Sequence, residues 1–134
     1  MIVIDSSAVI AILRRETDAE QFLEVIAKAP MRLVSSVNLL ETSMVLAGRA
    51  DAWTDLDRFI ERAMIKVAPQ DAEQVEAARR AFLLYGKGRH PARLNLGDCA
   101  AYALAKVRNL PLLFKGDDFS LTDLARASIA TRSA

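Results

Sequence analysis

The length of its apolar runs constrains this chain more than any other feature. Ile2–Ile4 (IVI), Met31–Ser35 (MRLVS), Ile65–Val67 (IKV) and Pro111–Phe114 (PLLF) are each too short for a stable helix, and stretches of helical spacing separate them. Short apolar, β-branched runs read as buried strands. Strands that alternate with helices of crossover length read as a parallel sheet covered on both faces. The expected architecture is a three-layer α/β domain over residues 1–134, with a mostly parallel central sheet of four to five strands flanked by helices. No repeat or low-complexity linker marks a domain boundary, and 134 residues suit one core.

The intervening helices follow from spacing. Ala8–Arg14 and Asp18–Lys28 are the first two, the second carrying Phe22, Val25 and Ile26 on one face. A third starts near Val37 and stops at Gly48, and a fourth carries Trp53, Leu56, Phe59 and Ile60. Pro69 is expected to open a long helix to about Tyr85. The stretch GKGRHPARLNLG reads as a loop, Asp98–Arg108 as the last helix, and Ser128–Ala130 as a final short edge strand.

Composition excludes several classes. The formal net charge is +1, so any case for nucleic acid must be local. One cysteine, Cys99, cannot build a disulfide framework, and a reducing cytoplasm is the simplest home. Asp5 interrupts the first apolar stretch and Arg14-Arg15 close it, which is not a secretory pattern. No apolar run approaches a membrane span, so no membrane partner is expected.

The acidic residues fall in suggestive places. Asp5 directly follows the first strand, and Asp117 and Asp118 of KGDDF directly follow the PLLF strand. In open α/β sheets ligands bind beyond the carboxyl ends of the strands. Glu41 shares a helical stripe with Val37 and Met44, and Asp98 shares one with Ala101, Tyr102 and Ala105. Both carboxylates therefore point inward, which is costly without a partner. Each acid also has a plainer use. Asp5 can cap a helix, Asn38–Glu41 and Asn95–Asp98 have capping-box spacing, and Asp117 and Asp118 can be turn residues. Those uses do not explain why all four positions meet at one sheet edge. Gathered carboxylates raise one another's pKa unless a cation neutralises them. An all-oxygen set selects a hard ion such as Mg²⁺ or Mn²⁺, which suits phosphoryl chemistry. Ser6 or Ser7 either caps the first helix or bonds a carboxylate or a metal-bound water.

MIVIDSSA, SSVNLLETSMVL around Glu41, LNLGDCAAYALA and LLFKGDDFSLTDL together resemble a PIN-domain ribonuclease, and more narrowly the VapC toxins of prokaryotic toxin–antitoxin pairs. The resemblance covers nearly the whole chain in order. It implies the PIN-like fold and Mg²⁺- or Mn²⁺-dependent hydrolysis of a structured RNA such as tRNA or rRNA. It also implies a homodimer and a cognate VapB-type antitoxin. Carried over by position, the acidic set is Asp5, Glu41, Asp98 and one of Asp117 and Asp118. Asp5 and Asp98 stand as direct metal ligands, and Glu41 ligates directly or through water as part of the site's base. Many PIN domains have an Asp where this chain has Gly116. The subfamily keeps the Asp before Phe119, which favours Asp118. Leu96 stands where Phe is more usual.

The basic residues supply the local charge that the whole chain lacks. Arg79, Arg80, Lys87, Arg89 and Arg93 lie between residues 79 and 97 with no acid among them. Lys87, Arg89 and Arg93 lead into Asp98 and, with Lys115, are candidates to hold RNA phosphates; the plain alternative is a solvated loop and helix face, and for Lys115 contact with a carboxylate. His90 reads as structural or RNA-facing, Tyr102 and Cys99 as core. Candidate grooves for the antitoxin are Ala8–Leu13 and Trp53–Ile60. Two other functions compete. A phosphatase or phospho-acceptor domain would want a second Asp two residues after Asp5, where Ser7 stands. A non-catalytic PIN-like scaffold would not need four inward carboxylates. Dinucleotide binding fails for want of GxGxxG after the first strand.

Overall fold

The computed structural model describes residues 1–128. Four short strands, β1 (Ile2–Ile4), β2 (Arg32–Ser35), β3 (Ile65–Ala68) and β4 (Leu112–Leu113), form one sheet in the order β3-β2-β1-β4. Every pairing is parallel. Six helices connect them: α1 (Ser6–Leu13), α2 (Ala19–Lys28), α3 (Ser36–Leu46), α4 (Ala52–Arg62), α5 (Ala72–Tyr85) and α6 (Leu96–Arg108). The expected three-layer α/β fold is what forms.

Alternation along each strand divides the core in two. Ile2, Ile4, Val34, Ile65 and Leu113 face one layer, where Val9, Ile12, Phe22, Ile26 and Leu56 of α1, α2 and α4 cover them. Val3, Leu33, Ala68 and Leu112 face the other, against Ala81 of α5 and Ala101, Leu104 and Ala105 of α6. β1 and β4 are buried on both sides, which is why they read as continuous apolar runs, whereas the edge strand β3 exposes Lys66 and Val67.

The strand order reverses between β1 and β4. Successive crossovers place β2 and β3 on one side of β1, and β4 on the other. A sheet of this kind opens a crevice at that switch, outside the carboxyl ends of the two strands. Asp5 leaves β1 at this point, and the turn with Asp117 and Asp118 leaves β4 beside it. The Asp5 N–H donates to Leu113 O at 2.9 Å, locking the two exits together.

Several boundaries differ from expectation for identifiable reasons. Pro69 does not open α5. Asp71 does, because its carboxylate accepts from the Gln74 N–H at 2.9 Å, leaving Pro69 and Gln70 as an extended link. Leu96 and Gly97 belong to α6, since Asn95 is its N-cap. The loop before it is tied at its base by Leu94 N–H to Tyr85 O and Lys87 N–H to Leu94 O. The expected strand at Ser128–Ala130 lies outside the described residues except for Ser128, which is not in a strand. Just before it, Arg126 makes a single parallel bridge to Leu112. Among the described residues, no helix is long and apolar enough to cross a membrane.

Candidate active site

Asp5 is the N-cap of α1 and is almost wholly buried, at 3% exposure. Its Oδ2 accepts from the Ser7 N–H at 3.0 Å and the Ser7 hydroxyl at 2.6 Å. Its Oδ1 is buried with no hydrogen-bond partner. Burial pushes the carboxyl up from 3.8 to about 7; the bonds from Ser7 pull the other way, and the charges of Asp98 and Glu41 push further up. Capping and membership of an acidic site are therefore not alternatives for Asp5: one oxygen caps and the other is left over. The serines do not begin the helix as caps. Ser7 orients Asp5 and also accepts the Lys115 N–H at 2.9 Å, binding the β1 exit to the β4 turn.

Glu41 arrives from α3. The N-cap of that helix is Ser35, whose side chain accepts from the Val37 N–H, so Asn38 and Glu41 form no capping box. The apolar stripe that Glu41 was expected to share faces outward, with Met44 68% exposed. The buried side of α3 carries Asn38, Thr42 and Leu46. Glu41 turns inward because Ser6 donates to its Oε1 at 2.6 Å. A methyl group on Gly97 would overlap the Glu41 carboxylate, so only a glycine lets α6 pass without displacing it.

Asp98 does form the expected capping box. Asn95 Oδ1 accepts the Asp98 N–H at 3.0 Å, and Asp98 Oδ2 accepts the Asn95 N–H at 3.1 Å. Burial raises the Asp98 pKa; the Asn95 N–H lowers it, and the charges of Glu41 and Asp118 raise it. Asp118 opens a short 3₁₀ turn, Asp118–Leu121, after Gly116, whose φ of 91° the tight turn demands. Arg126 braces this turn, donating to Gly116 O at 2.6 Å while stacked 4.1 Å over Phe114. Of the two aspartates, Asp118 acts on Asp98, and both are exposed.

Asp5, Glu41, Asp98 and Asp118 thus form a coupled chain of charges along the switch-point crevice. Among the described residues, none of the four has an ion-pair partner. Nor do any three acidic, histidine or cysteine side chains close on one point tightly enough to form a finished metal cage. The edge is open and negatively charged. The spare Oδ1 of Asp5 and the oxygen-only donor set fit a hard cation.

The predicted basic residues separate into two groups. Lys87, Arg89 and Arg93 are exposed on the loop before α6, and no carboxylate among the described residues pairs with them. Arg89 lies 5.6 Å over the Phe82 ring. Lys115 is instead committed to Glu16 and Asp18, so it braces the α1–α2 turn rather than standing free for phosphate. His90 is structural: its Nδ1 accepts the Ala92 N–H at 3.0 Å and its ring meets Tyr85 edge-on. Cys99 is buried, and burial, with the nearby Asp98 charge, pushes its thiol up to about 11. The Ala8–Leu13 segment contributes Ala8, Val9, Ala11 and Ile12 to the core. The large exposed apolar side chains are elsewhere, among them Leu40 and Met44 of α3 and Leu83 and Leu96 of α5 and α6. Ser7 makes the carboxylate bond its position offered, and Asn38 shapes the site in a role other than the capping box; Gly97 and Arg126 shape it without having stood out in the sequence.

Residues 2–124 match the PIN domain family. The chain is 49% identical to "Ribonuclease VapC" of Mycolicibacterium smegmatis over 125 residues, 92% of this chain and 97% of that one. It is 44% identical to "Ribonuclease VapC30" of Mycobacterium tuberculosis over 129 residues, 95% and 98% of the two chains. Its fold is similar to the crystal structure of Mycobacterium tuberculosis VapC20, described as a sarcin-ricin loop cleaving toxin. The TM-score is 0.77 at 18% identity, covering 96% of this chain and 99% of that one.

Proposed function

Because this chain belongs to the PIN domain family, and within it to the VapC ribonucleases, we propose that it is a toxin that hydrolyses RNA phosphodiester bonds with a carboxylate-held Mg²⁺ or Mn²⁺. One observation carries the reading: four acids from four separate chain segments lie within electrostatic reach of one another at the switch-point edge, and none has an ion-pair partner among the described residues. Asp5 and Asp98 would hold the metal, with Glu41 ligating directly or through a water and Asp118 completing the set. When bound, such an ion acidifies a water and stabilises negative charge on the phosphate and leaving oxygen.

The protein's own groups have distinct tasks. Ser7 fixes Asp5 through two bonds to one oxygen, leaving the other for the cation. Ser6 holds Glu41 Oε1, so the carboxylate is poised to take a proton from an attacking water. The capping box holds Asp98 on the rigid start of α6. Lys87, Arg89 and Arg93, which pair with no carboxylate among the described residues, supply phosphate contacts and offset the repulsion between RNA and the acidic edge. The substrate is a structured cellular RNA, of the tRNA or rRNA class. A homodimer and a VapB-type antitoxin are the proposed protein partners. The exposed apolar side chains of α3 and α5 offer surface for them, and the same fold occurs in a solved toxin–antitoxin complex from Klebsiella pneumoniae.

Purified protein incubated with total RNA tests this directly. Cleavage is expected with Mn²⁺ and not with EDTA, and not in an Asp5→Asn variant. Cleavage that persists in EDTA removes the metal mechanism. A wild-type protein that cleaves nothing with Mn²⁺ removes the ribonuclease reading.

A further inference from the structure

We propose that Asn38 is a positioning residue of the acidic site: its side-chain amide clamps Ser6 to Gly97 and so fixes where the Glu41 carboxylate lies. What Glu41 then does rests on the ribonuclease reading above; the clamp itself does not.

Asn38 is an unusual residue for its place. It lies inside α3 at 0% exposure, on a helix whose apolar side chains largely face outward. Asparagine is a poor helix former, and a buried amide is costly unless bonded. Here both of its N–H groups are used. Nδ2 donates to Ser6 Oγ at 3.0 Å and to the Gly97 carbonyl at 3.0 Å. The amide cannot be turned over, because the Gly97 carbonyl only accepts and would then face another acceptor. This orientation leaves Asn38 Oδ1 buried without a partner. A native protein that retains such an orphan calls for a reason, and the two bonds made by the nitrogen supply one.

The consequence passes through Ser6. Its hydroxyl has one proton, and Asn38 Nδ2 can only donate to it, so that proton must go to an acceptor. Two are in reach: Glu41 Oε1 at 2.6 Å and Asn38 O at 3.2 Å. The shorter, charge-assisted bond to the carboxylate is the stronger. Glu41 is thereby held as an acceptor on one side. On the other it lies against Gly97, where even a methyl group would not fit. Asn38 grips both walls. The direct approach of its Nδ2 to Glu41 Oε1, at 3.5 Å, is too long to do this alone. Ser6 adjoins Asp5 and Gly97 adjoins Asp98, so one amide sets the spacing of the three segments that carry the acids.

The test combines kinetics with a readout that needs no RNA. With Mn²⁺ and an RNA that the wild-type protein cleaves, Asn38→Ala is expected to lower kcat about 10- to 100-fold and to leave KM within about twofold. Ser6→Ala should do the same while keeping the Asn38–Gly97 bond, and it carries the prediction if Asn38→Ala does not fold. The double variant should lose clearly less than the sum of the two single losses, since both act in part through the Asn38–Ser6 bond. A folded Asn38→Ala protein with wild-type kcat overturns the proposal, as do losses that simply add. In the metal-free protein, the Asn38 side-chain amide protons should exchange slowly and shift in NMR spectra when Ser6 becomes Ala. If wild-type protein cleaves no RNA, the ribonuclease reading fails and this measurement decides the clamp. A shift supports it, and unmoved resonances overturn it.

Discussion

Asp5 and Asp123 show two ways in which this fold treats a carboxylate. Asp123 accepts from Lys106 Nζ at 2.6 Å and from the Tyr102 hydroxyl at 2.6 Å. Burial is the largest single influence and pushes its pKa up, but these partners together outweigh it and hold the carboxyl below the usual range. Asp5 is far more buried, has no cation beside it and keeps one oxygen unbonded among the described residues, and is raised to about 7. The same chain can therefore neutralise an acid with a neighbouring lysine, and at the switch point it does not. A charge left uncompensated at a ligand-binding edge is how a site for an external cation looks before the cation arrives.

The largest expected effect separates activity from stability at the acidic edge. Asp98→Asn should lower RNA cleavage by about 100-fold or more, beyond what groups that merely support a metal ligand usually contribute. The same substitution should leave unchanged or raise the metal-free melting temperature, because it keeps a capping side chain and removes a repelled charge. A clear loss of stability with intact cleavage would make Asp98 a cap and nothing more. Gly97→Ala sharpens the same contrast by displacing a neighbour instead of deleting a charge. It should lower kcat about 10-fold or more by moving Glu41. The fold should suffer little, since the group that gives way is the free end of a side chain. Wild-type cleavage in this variant would show that the Glu41 position is not critical.

The pH dependence of the metal-free protein should differ between the two regions in sign. For Asp5, whose folded pKa is raised, both states are protonated below about pH 4 and no penalty exists. Between pH 4 and 7 the unfolded chain loses the proton while the folded one keeps it, so stability falls as pH rises, by up to about 4 kcal/mol. Asp123 acts the other way, adding stability above about pH 4 and losing it as pH falls. Its exposure keeps that contribution within about 1 kcal/mol. Chemical denaturation from pH 4 to 8 in EDTA should show the falling limb in wild-type protein and a weaker one in Asp5→Asn. A flat profile in both would contradict the account of Asp5. The smallest effect belongs to Asp123→Asn, which should cost about 1 kcal/mol or less and leave cleavage unchanged.

Much of this edge was legible in the sequence because strand ends are easy to locate. Ile2–Ile4 and the PLLF run fix where Asp5 and the acidic turn emerge, and parallel connectivity puts them on one side. The Asn95–Asp98 capping box could be read from spacing because nothing upstream competes to cap α6. The same spacing misled at Asn38–Glu41, where Ser35 at the end of β2 already caps the helix and pushes Asn38 inside it. Pro69 misled likewise, since Asp71 is the better cap. Lys115 reads from the sequence as a contact for phosphate or a carboxylate, and it takes carboxylates; adjacency along the chain does not reveal which, because Glu16 and Asp18 are distant in sequence. Asn38, Gly97 and Arg126 act through contacts of that long-range kind, and no local pattern announces those roles, whereas Ser7 meets Asp5 only two residues away.

The most direct measurement is the effect of Mn²⁺ on thermal unfolding at pH 7.5, in wild-type protein and in Asp5→Asn. A cation that binds only the folded state stabilises it by about 2.7 kcal/mol at 100 times its Kd. Wild-type protein should therefore melt several degrees higher in Mn²⁺ than in EDTA, and Asp5→Asn should lose most of that gain. No shift in wild-type protein, or an equal shift in both, would contradict the claim that the acids at the β1–β4 switch are a cation site.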